Sequence, residues 1–253
     1  MASQIYSTDP QTAQRWQSIS DDPCDPQVYA ARRAMLRDLI SAKRICSRTA
    51  YLVARCTGKN ILDVGIVEHN KDAYLTDRWL HRHLSSVAQE CLGVDVMKPE
   101  LMYLHDQGFN VLYHDFTEKP MAAEFDVIVC GDVLEHVSNT GSFLSNLQKS
   151  LSSNGILLLT LPNPWYVNCL LKNVWGSQVF VDNADHVAWH DYHTILELGI
   201  RSGLSLRLIQ GITVNNHRSL ASSLLSRLSP IAVKLGFKPL LFCKTIIYEF
   251  KSA

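Results

Sequence analysis

KNILDVGIVEH, residues Lys59–His69, is the stretch whose reading decides the fold of this chain. Asn60–Val64 reads as a short buried strand that runs into Asp63, Val64 and Gly65. A glycine at the carboxyl end of such a strand lets backbone come close to a ligand, and in open α/β sheets ligands bind at those ends. The loop that follows is unusual, because Ile66, Val67, Glu68 and His69 stand where such loops carry more glycine.

Outward from there the theme repeats, with an acid or an Asn closing each apolar run. The pattern predicts strands at Asn60–Val64, Cys91–Val96, Asn110–Tyr113, Phe125–Cys130 and Gly155–Leu161. Between them it predicts helices at Asp77–Gln89, at Pro99–Gln107 ending on Gly108, and at 140–151, where Phe143, Leu144, Leu147 and Leu151 share a face. Nearly all-apolar strands in βαβα order are buried on both faces, which means a doubly wound, mostly parallel α/β sheet with a Rossmann-like layout. Two more strand-like runs, Ser205–Val214 and Lys244–Phe250, lie on either side of a leucine-rich helical stretch at 219–229. Residues 1–57 read as an N-terminal helical extension. They comprise a polar arm with a short helix near Gln11–Ser18, then helical sequence over 27–57 that includes Arg48–Cys56 and stops at Gly58.

The 253 residues, 47% of them apolar, suit one large domain at 58–253 behind that extension. A formal net charge of zero argues against a nucleic-acid binder. Seven cysteines, an odd number with no C-x-x-C pair, read as free thiols of a reducing cytoplasm. The polar start MASQIYSTDPQ is unlike a signal peptide, and no apolar run reaches the ~18 residues of a spanning helix.

The ligand-facing candidates are Asp63 and Gly65 after the first strand and Asp95 after the second. Asp115 and Phe116 follow the third, Gly131 and Asp132 the fourth, and Asn163 the fifth. An acid after the second strand suits a ribose diol, since one carboxylate accepts from two hydroxyls. An acid beside an aromatic after the third suits an adenine. Taken singly each acid reads as a helix cap, but four in register read as a nucleoside site.

ILDVG, LGVDV, FDVIVCGDVLEHV, LSSNGILLLTLPNPW and DHVAWHDYHTILELGIRSGL occur here in the order in which class I S-adenosylmethionine-dependent methyltransferases carry such segments. Over about Gly58 to Gly203 the chain resembles that family. It is most similar to the branch holding ubiquinone-pathway O-methyltransferases and bacterial surface-glycan methyltransferases. The resemblance implies a seven-stranded sheet with an antiparallel last strand. It also implies a methionine end held by Asp63 and Gly65, a ribose held by Asp95 and an adenine held by Asp115. The chain departs from the family's G-x-G loop at Gly65-Ile66-Val67-Glu68-His69, and the Asp63–Asp95 interval is roughly ten residues longer. The resemblance to the glycan branch extends to Val67-Glu68-His69 and Trp79-Leu80-His81, which makes the departure a subfamily feature; the other reading is a weakened cofactor site. A nicotinamide dehydrogenase would need G-x-G-x-x-G after the first strand, which this chain lacks.

Asp132, Glu135 and His136 cluster, and on a helix they would share one face. With His186 they form a candidate divalent-metal set, against the favoured reading that Asp132 lines the cofactor and Glu135 and His136 make ordinary hydrogen bonds. His186 is the first candidate base for an acceptor hydroxyl and His136 the second. His190 and His193 read as surface or capping residues. Asn163, Trp165 and Trp189 are expected to shape the acceptor pocket. Leu-Pro-Asn-Pro-Trp at 161–165 sits after the fifth strand, the wrong place for a DNA amino-methyltransferase motif. From Leu198 to Tyr248 there are seven Lys and Arg residues and no acid. A basic, apolar-striped element over 219–244 suits peripheral contact with an anionic membrane or a lipid-linked acceptor; packing on the sheet or in a homodimer is the plainer reading.

The sequence thus predicts a cytoplasmic S-adenosylmethionine-dependent O-methyltransferase acting on a sugar or glycan precursor. The N-terminal helices and 164–195 would form its lid. A quinone or phenol acceptor is the alternative, and a non-catalytic scaffold with this fold the further one.

Overall fold

A computed structural model of the chain describes residues 22, 24–41, 43–68, 72–176, 183–213 and 229–253. The expected helix at Gln11–Ser18, all of the expected helix at 219–229 except Ser229, and His69 lie outside them.

Seven strands form one sheet in the order β3-β2-β1-β4-β5-β7-β6. They are β1 Asn60–Val64, β2 Glu90–Asp95, β3 Val111–Tyr113, β4 Phe125–Gly131, β5 Leu151–Pro162, β6 Leu204–Ile212 and β7 Thr245–Ser252. β1 to β5 pair in parallel, and β7 runs antiparallel to both β5 and β6. The helices are α1 Pro26–Leu39, α2 Arg48–Cys56, α3 Leu80–Ser85, α4 Lys98–Asp106, α5 Thr140–Lys149, α6 Val167–Trp175 and α7 Tyr192–Arg201. Strand order reverses between β1 and β4, so the crevice at their carboxyl ends is the ligand position for this topology.

Alternation along the strands builds two cores. Leu62, Val64, Ile128, Cys130, Leu157, Leu159, Tyr248 and Phe250 face α1, α5 and α7. Ile61, Val127, Val129, Leu158 and Ile247 face α2 and α3. Each fully buried side chain of this kind contributes roughly 1.5–3 kcal/mol. A third, smaller core of Ile66, Ala73, Tyr74, Trp79, Leu101 and Leu104 forms around the long connection after β1.

Two elements differ from expectation for local reasons. α3 is shorter than Asp77–Gln89 because Thr76 caps a preceding turn, its hydroxyl accepting from Arg78 N at 3.3 Å and its carbonyl from Trp79 N at 3.3 Å. β5 begins early because Leu151 pairs with Phe125 across an irregularity in β4.

The described part of the N-terminal extension packs in the sheet's helical layers. α1 starts on Pro26 behind the Asp25 cap and buries Val28, Leu36 and Leu39 in the first core. Its Arg32 pairs with Glu197 of α7. The chain then crosses the β6 edge: Ser41 N donates to Ile209 O at 2.9 Å and Ile45 N to Gly211 O at 3.2 Å. α2 returns on the opposite face, burying Leu52 and Cys56 in the second core. Covering an edge strand this way removes a template for aggregation. At the start of α2, Arg48 reaches Asp132 just beyond the carboxyl end of β4.

Asn163 also departs from expectation. It is 3% exposed, and its amide donates to Leu240 O and Cys243 O, both at 2.8 Å, while its Oδ1 accepts from Trp165 N at 3.1 Å. With both amide hydrogens spent on backbone carbonyls, the side chain clasps β5 to the turn before β7. We expect Asn163→Ala to destabilise the fold by about 2–4 kcal/mol through two orphaned buried carbonyls. Urea denaturation would show it, and an unchanged midpoint would refute the clasp.

Candidate active site

The site begins where β1 ends. Gly65 has φ +80°, a conformation that a side chain disfavours, and its N–H donates to Val94 O at 2.9 Å. A Cβ there would lie 2.2 Å from Val133 Cγ2, so the glycine also admits the turn after β4. Asp63, 3% exposed, meets His81 with Oδ2 3.0 Å from Nδ1. His81 packs 5.1 Å from the Trp79 ring, and the Trp79 indole N–H donates to Ile66 O at 2.8 Å. The loop that lacks glycine is thus held by an aromatic clamp from its own far end. Burial pushes the His81 imidazole down, but its contacts with Asp63 and with Cys91 Sγ, 4.0 Å away, outweigh that and hold it up at about 9.

Asp95 closes β2. Its Oδ1 accepts from Val96 N at 2.7 Å and Met97 N at 3.1 Å, and its Oδ2 from Val67 N at 2.9 Å. Three backbone amides fill three of about four lone-pair sites. Asp95 therefore orders the loop as well as facing the crevice, and a two-hydroxyl grip would need one amide to share its acceptor. Burial raises its carboxyl, and the three amides oppose this only in part. After β3, Asp115 Oδ1 accepts from Thr117 N at 2.8 Å and Thr117 Oγ1 at 2.7 Å. Phe116 differs from expectation. At 2% exposure its ring sits in the first core, edge-on to His114 and Phe143, so it does not present a stacking face.

After β4, Gly131 has ordinary contacts around it. Asp132 sits at φ +55°, its N–H donating to Thr160 O at 3.0 Å. Its carboxylate accepts from Arg48 Nη1 and from Thr160 Oγ1 at 3.1 Å. The strained backbone and the Arg48 contact turn Asp132 away from the helical set expected with Glu135 and His136. Leu134–His136 is one 3-10 turn, and it is His186 that joins Glu135 and His136, with donor atoms all within 4.8 Å. The 183–191 loop is stapled there because Glu135 O accepts from Val187 N at 2.9 Å and Ala188 N at 3.2 Å. Asp185 Oδ2 lies 3.1 Å from His136 Nδ1, which fixes that ring. The His136 and His186 rings stand edge to face at 4.8 Å, with Trp189 5.9 Å beyond His186.

Trp165 and Trp189 are 47% and 41% exposed, and Trp165 Nε1 donates to Asp191 Oδ2 at 3.2 Å. Burial lowers the His190 pKa, and its Nε2 is buried with no hydrogen-bond partner among the described residues, unlike a surface histidine. His193 is at the start of α7, whose cap is Asp191. The set can hold a nucleoside-bearing ligand across β1, β2 and β4. Beside it, it can offer an imidazole base or an O/N/N group of metal donors. Sequence reasoning missed His81, Arg48, Thr160 and Asp185; Trp79-Leu80-His81 was the one visible signal.

A family model described as a methyltransferase domain matches residues 35–209. A ubiquinone biosynthesis O-methyltransferase of Caulobacter vibrioides is 25% identical over 174 residues, which is 64% of this chain and 66% of that protein. This chain thus spans just under two thirds of that relative's length. Among solved structures, a magnesium protoporphyrin IX methyltransferase from Synechocystis with bound S-adenosylhomocysteine aligns with TM-score 0.53 at 15% identity, covering 95% of this chain and 94% of that one. An S-adenosylmethionine-dependent methyltransferase from Clostridium acetobutylicum aligns with TM-score 0.53 at 11% identity, covering 81% and 90%. At such identities these likenesses establish the fold.

His81 is more basic folded than unfolded, so its pairing stabilises the protein fully below pH ~6.5 and is lost as pH rises through about 9. The groups facing it are Asp63 and Cys91. We expect stability to fall by on the order of a few kcal/mol between pH 7 and 10, and the fall to shrink in His81→Asn. Parallel denaturation curves for both proteins across that range would refute it.

Proposed function

The chain belongs to the methyltransferase-domain family, and we propose that it transfers a methyl group from S-adenosylmethionine to a hydroxyl of a sugar or glycan precursor. The observation that carries the acceptor side is the cluster of Glu135, His136 and His186 beside the crevice at the ends of β1 and β4. When bound, S-adenosylmethionine supplies an electrophilic methyl on a sulfonium. Gly65's left-handed turn and the amide-anchored Asp95 carboxylate fit its nucleoside and amino-acid ends. The chain's work is to hold an acceptor oxygen in line with that methyl and to take its proton. His186 accepts the proton as the O–C bond forms and the C–S bond breaks, with His136, oriented by Asp185, as its neighbour. Trp165 and Trp189 offer exposed faces to a sugar ring.

The acid-free stretch favours a lipid-linked acceptor. Its described part exposes Ile231, Leu235 and Phe237 beside Lys234 and Lys238. Among the described residues no helix is long and apolar enough to cross a membrane. A quinone or phenol acceptor is the second reading, supported by the ubiquinone-pathway relative. Were a divalent cation to bind instead, Glu135, His136 and His186 would hold it, with Asp185 behind His136, and it would polarise an acceptor diol in place of the His186 base.

Calorimetry with S-adenosylhomocysteine, then turnover on nucleotide sugars, lipid-linked glycans and catechols, tests the reading. We expect Asp95→Ala to weaken binding at least about tenfold, near 1.4 kcal/mol; unchanged affinity would remove Asp95 from the site. We expect His186→Ala to lower turnover while leaving that affinity nearly intact. A loss confined to donor binding would count against His186 as base. Chelation that abolishes turnover, restored by magnesium, would select the metal-assisted route.

A further inference from the structure

Asp63 stands directly across from Gly93 in the β1–β2 register. A carboxylate this buried needs a partner, and His81 supplies it through Oδ2. The imidazole fits because residue 93 has no side chain: a Cβ there would lie 2.8 Å from His81 Cε1 and 2.7 Å from Ile66 Cδ1. Trp79 and Phe109 wall the ring at 5.1 and 6.4 Å. Two residues before His81, the Trp79 indole N–H holds Ile66 O. One short segment, 79–81, therefore grips the chain on both sides of Gly65.

We propose that His81 is a positioning residue of the donor site, holding Asp63 oriented so that Oδ1 meets the donor's ammonium group. The proposal rests on the donor reading above. Packing alone would keep the imidazole in place without orienting a carboxylate. The contact of His81 Nδ1 with Asp63 Oδ2 does both, because it fixes the plane of the carboxylate and leaves Oδ1 for an amine.

The test is calorimetry with two probes. S-adenosylhomocysteine carries the amino-acid end, and 5′-methylthioadenosine lacks it. In His81→Phe we expect S-adenosylhomocysteine to bind at least about tenfold more weakly, and 5′-methylthioadenosine to change by less than about threefold. His81→Asn places an amide nitrogen near the former Nδ1 and should restore most of the lost affinity. Gly93→Ala leaves both polar groups in place but crowds the imidazole, so it should behave as His81→Phe. Thermal unfolding confirms that each variant folds, and if His81→Phe does not, the Asn and Gly93 variants decide. Equal losses for both probes would make His81 a structural residue and overturn the proposal, as would unchanged S-adenosylhomocysteine affinity in a folded variant. If the unmodified chain binds neither probe, the donor reading falls and this one with it.

Discussion

A carboxylate buried at the end of β1 is the constraint around which the ligand end of this molecule is arranged. Asp63, at 3% exposure, needs a polar partner. That partner is His81, delivered from α3 by a long connection. Delivering it forces the rest. Gly93 must be a glycine to admit the ring, and Trp79 must be buried beside it. Tyr74, Leu101, Leu104 and Phe109 then close a separate aromatic core over the loop. The additional length between Asp63 and Asp95 is thus the material of a clamp. A loop that is glycine-rich gains its close approach by omission of side chains. This one gains its shape by packing.

The opposite side of the crevice depends on a different join. By crossing the β6 edge, the N-terminal extension places α1 on one face and α2 on the other. The crossing brings Arg48, the first residue of α2, to Asp132, whose positive φ only a well-braced residue sustains. Ser47 caps that helix end, accepting from Ala50 N at 3.1 Å. Extension and crevice are therefore mechanically one object. The described extension is a strap whose end, Arg48, pairs with Asp132.

Much of this was legible. Strand positions followed from runs of apolar residues that a doubly covered sheet needs, and they fell within a few residues of the structure. The acids at strand ends were legible because loop chemistry there is local. What escaped was partnership across the chain. Asp63 and His81 are 18 residues apart, Arg48 and Asp132 are 84, and Asn163 reaches carbonyls 77 and 80 residues away. No period or spacing encodes such pairs. Phe116 misled for a related reason: an aromatic beside an acid reads alike whether its ring faces a ligand or the core, and only the position of Phe143 decides.

The two halves of the crevice are built to different stiffness. On the donor half, Gly65, Asp63, His81 and Asp95 are locked by strand register, burial and backbone amides. On the acceptor half, His186 and Trp189 come from a loop tied through two N–H groups to the Glu135 carbonyl and through Asp185 to His136. Local opening is cheapest where few buried contacts hold a segment. Were the crevice to hold the donor and acceptor proposed above, that division would set a fixed cradle under the donor and a loop bearing His186 over the acceptor. Glu135, which anchors the loop through its backbone, also groups with His136 and His186 through its side chain.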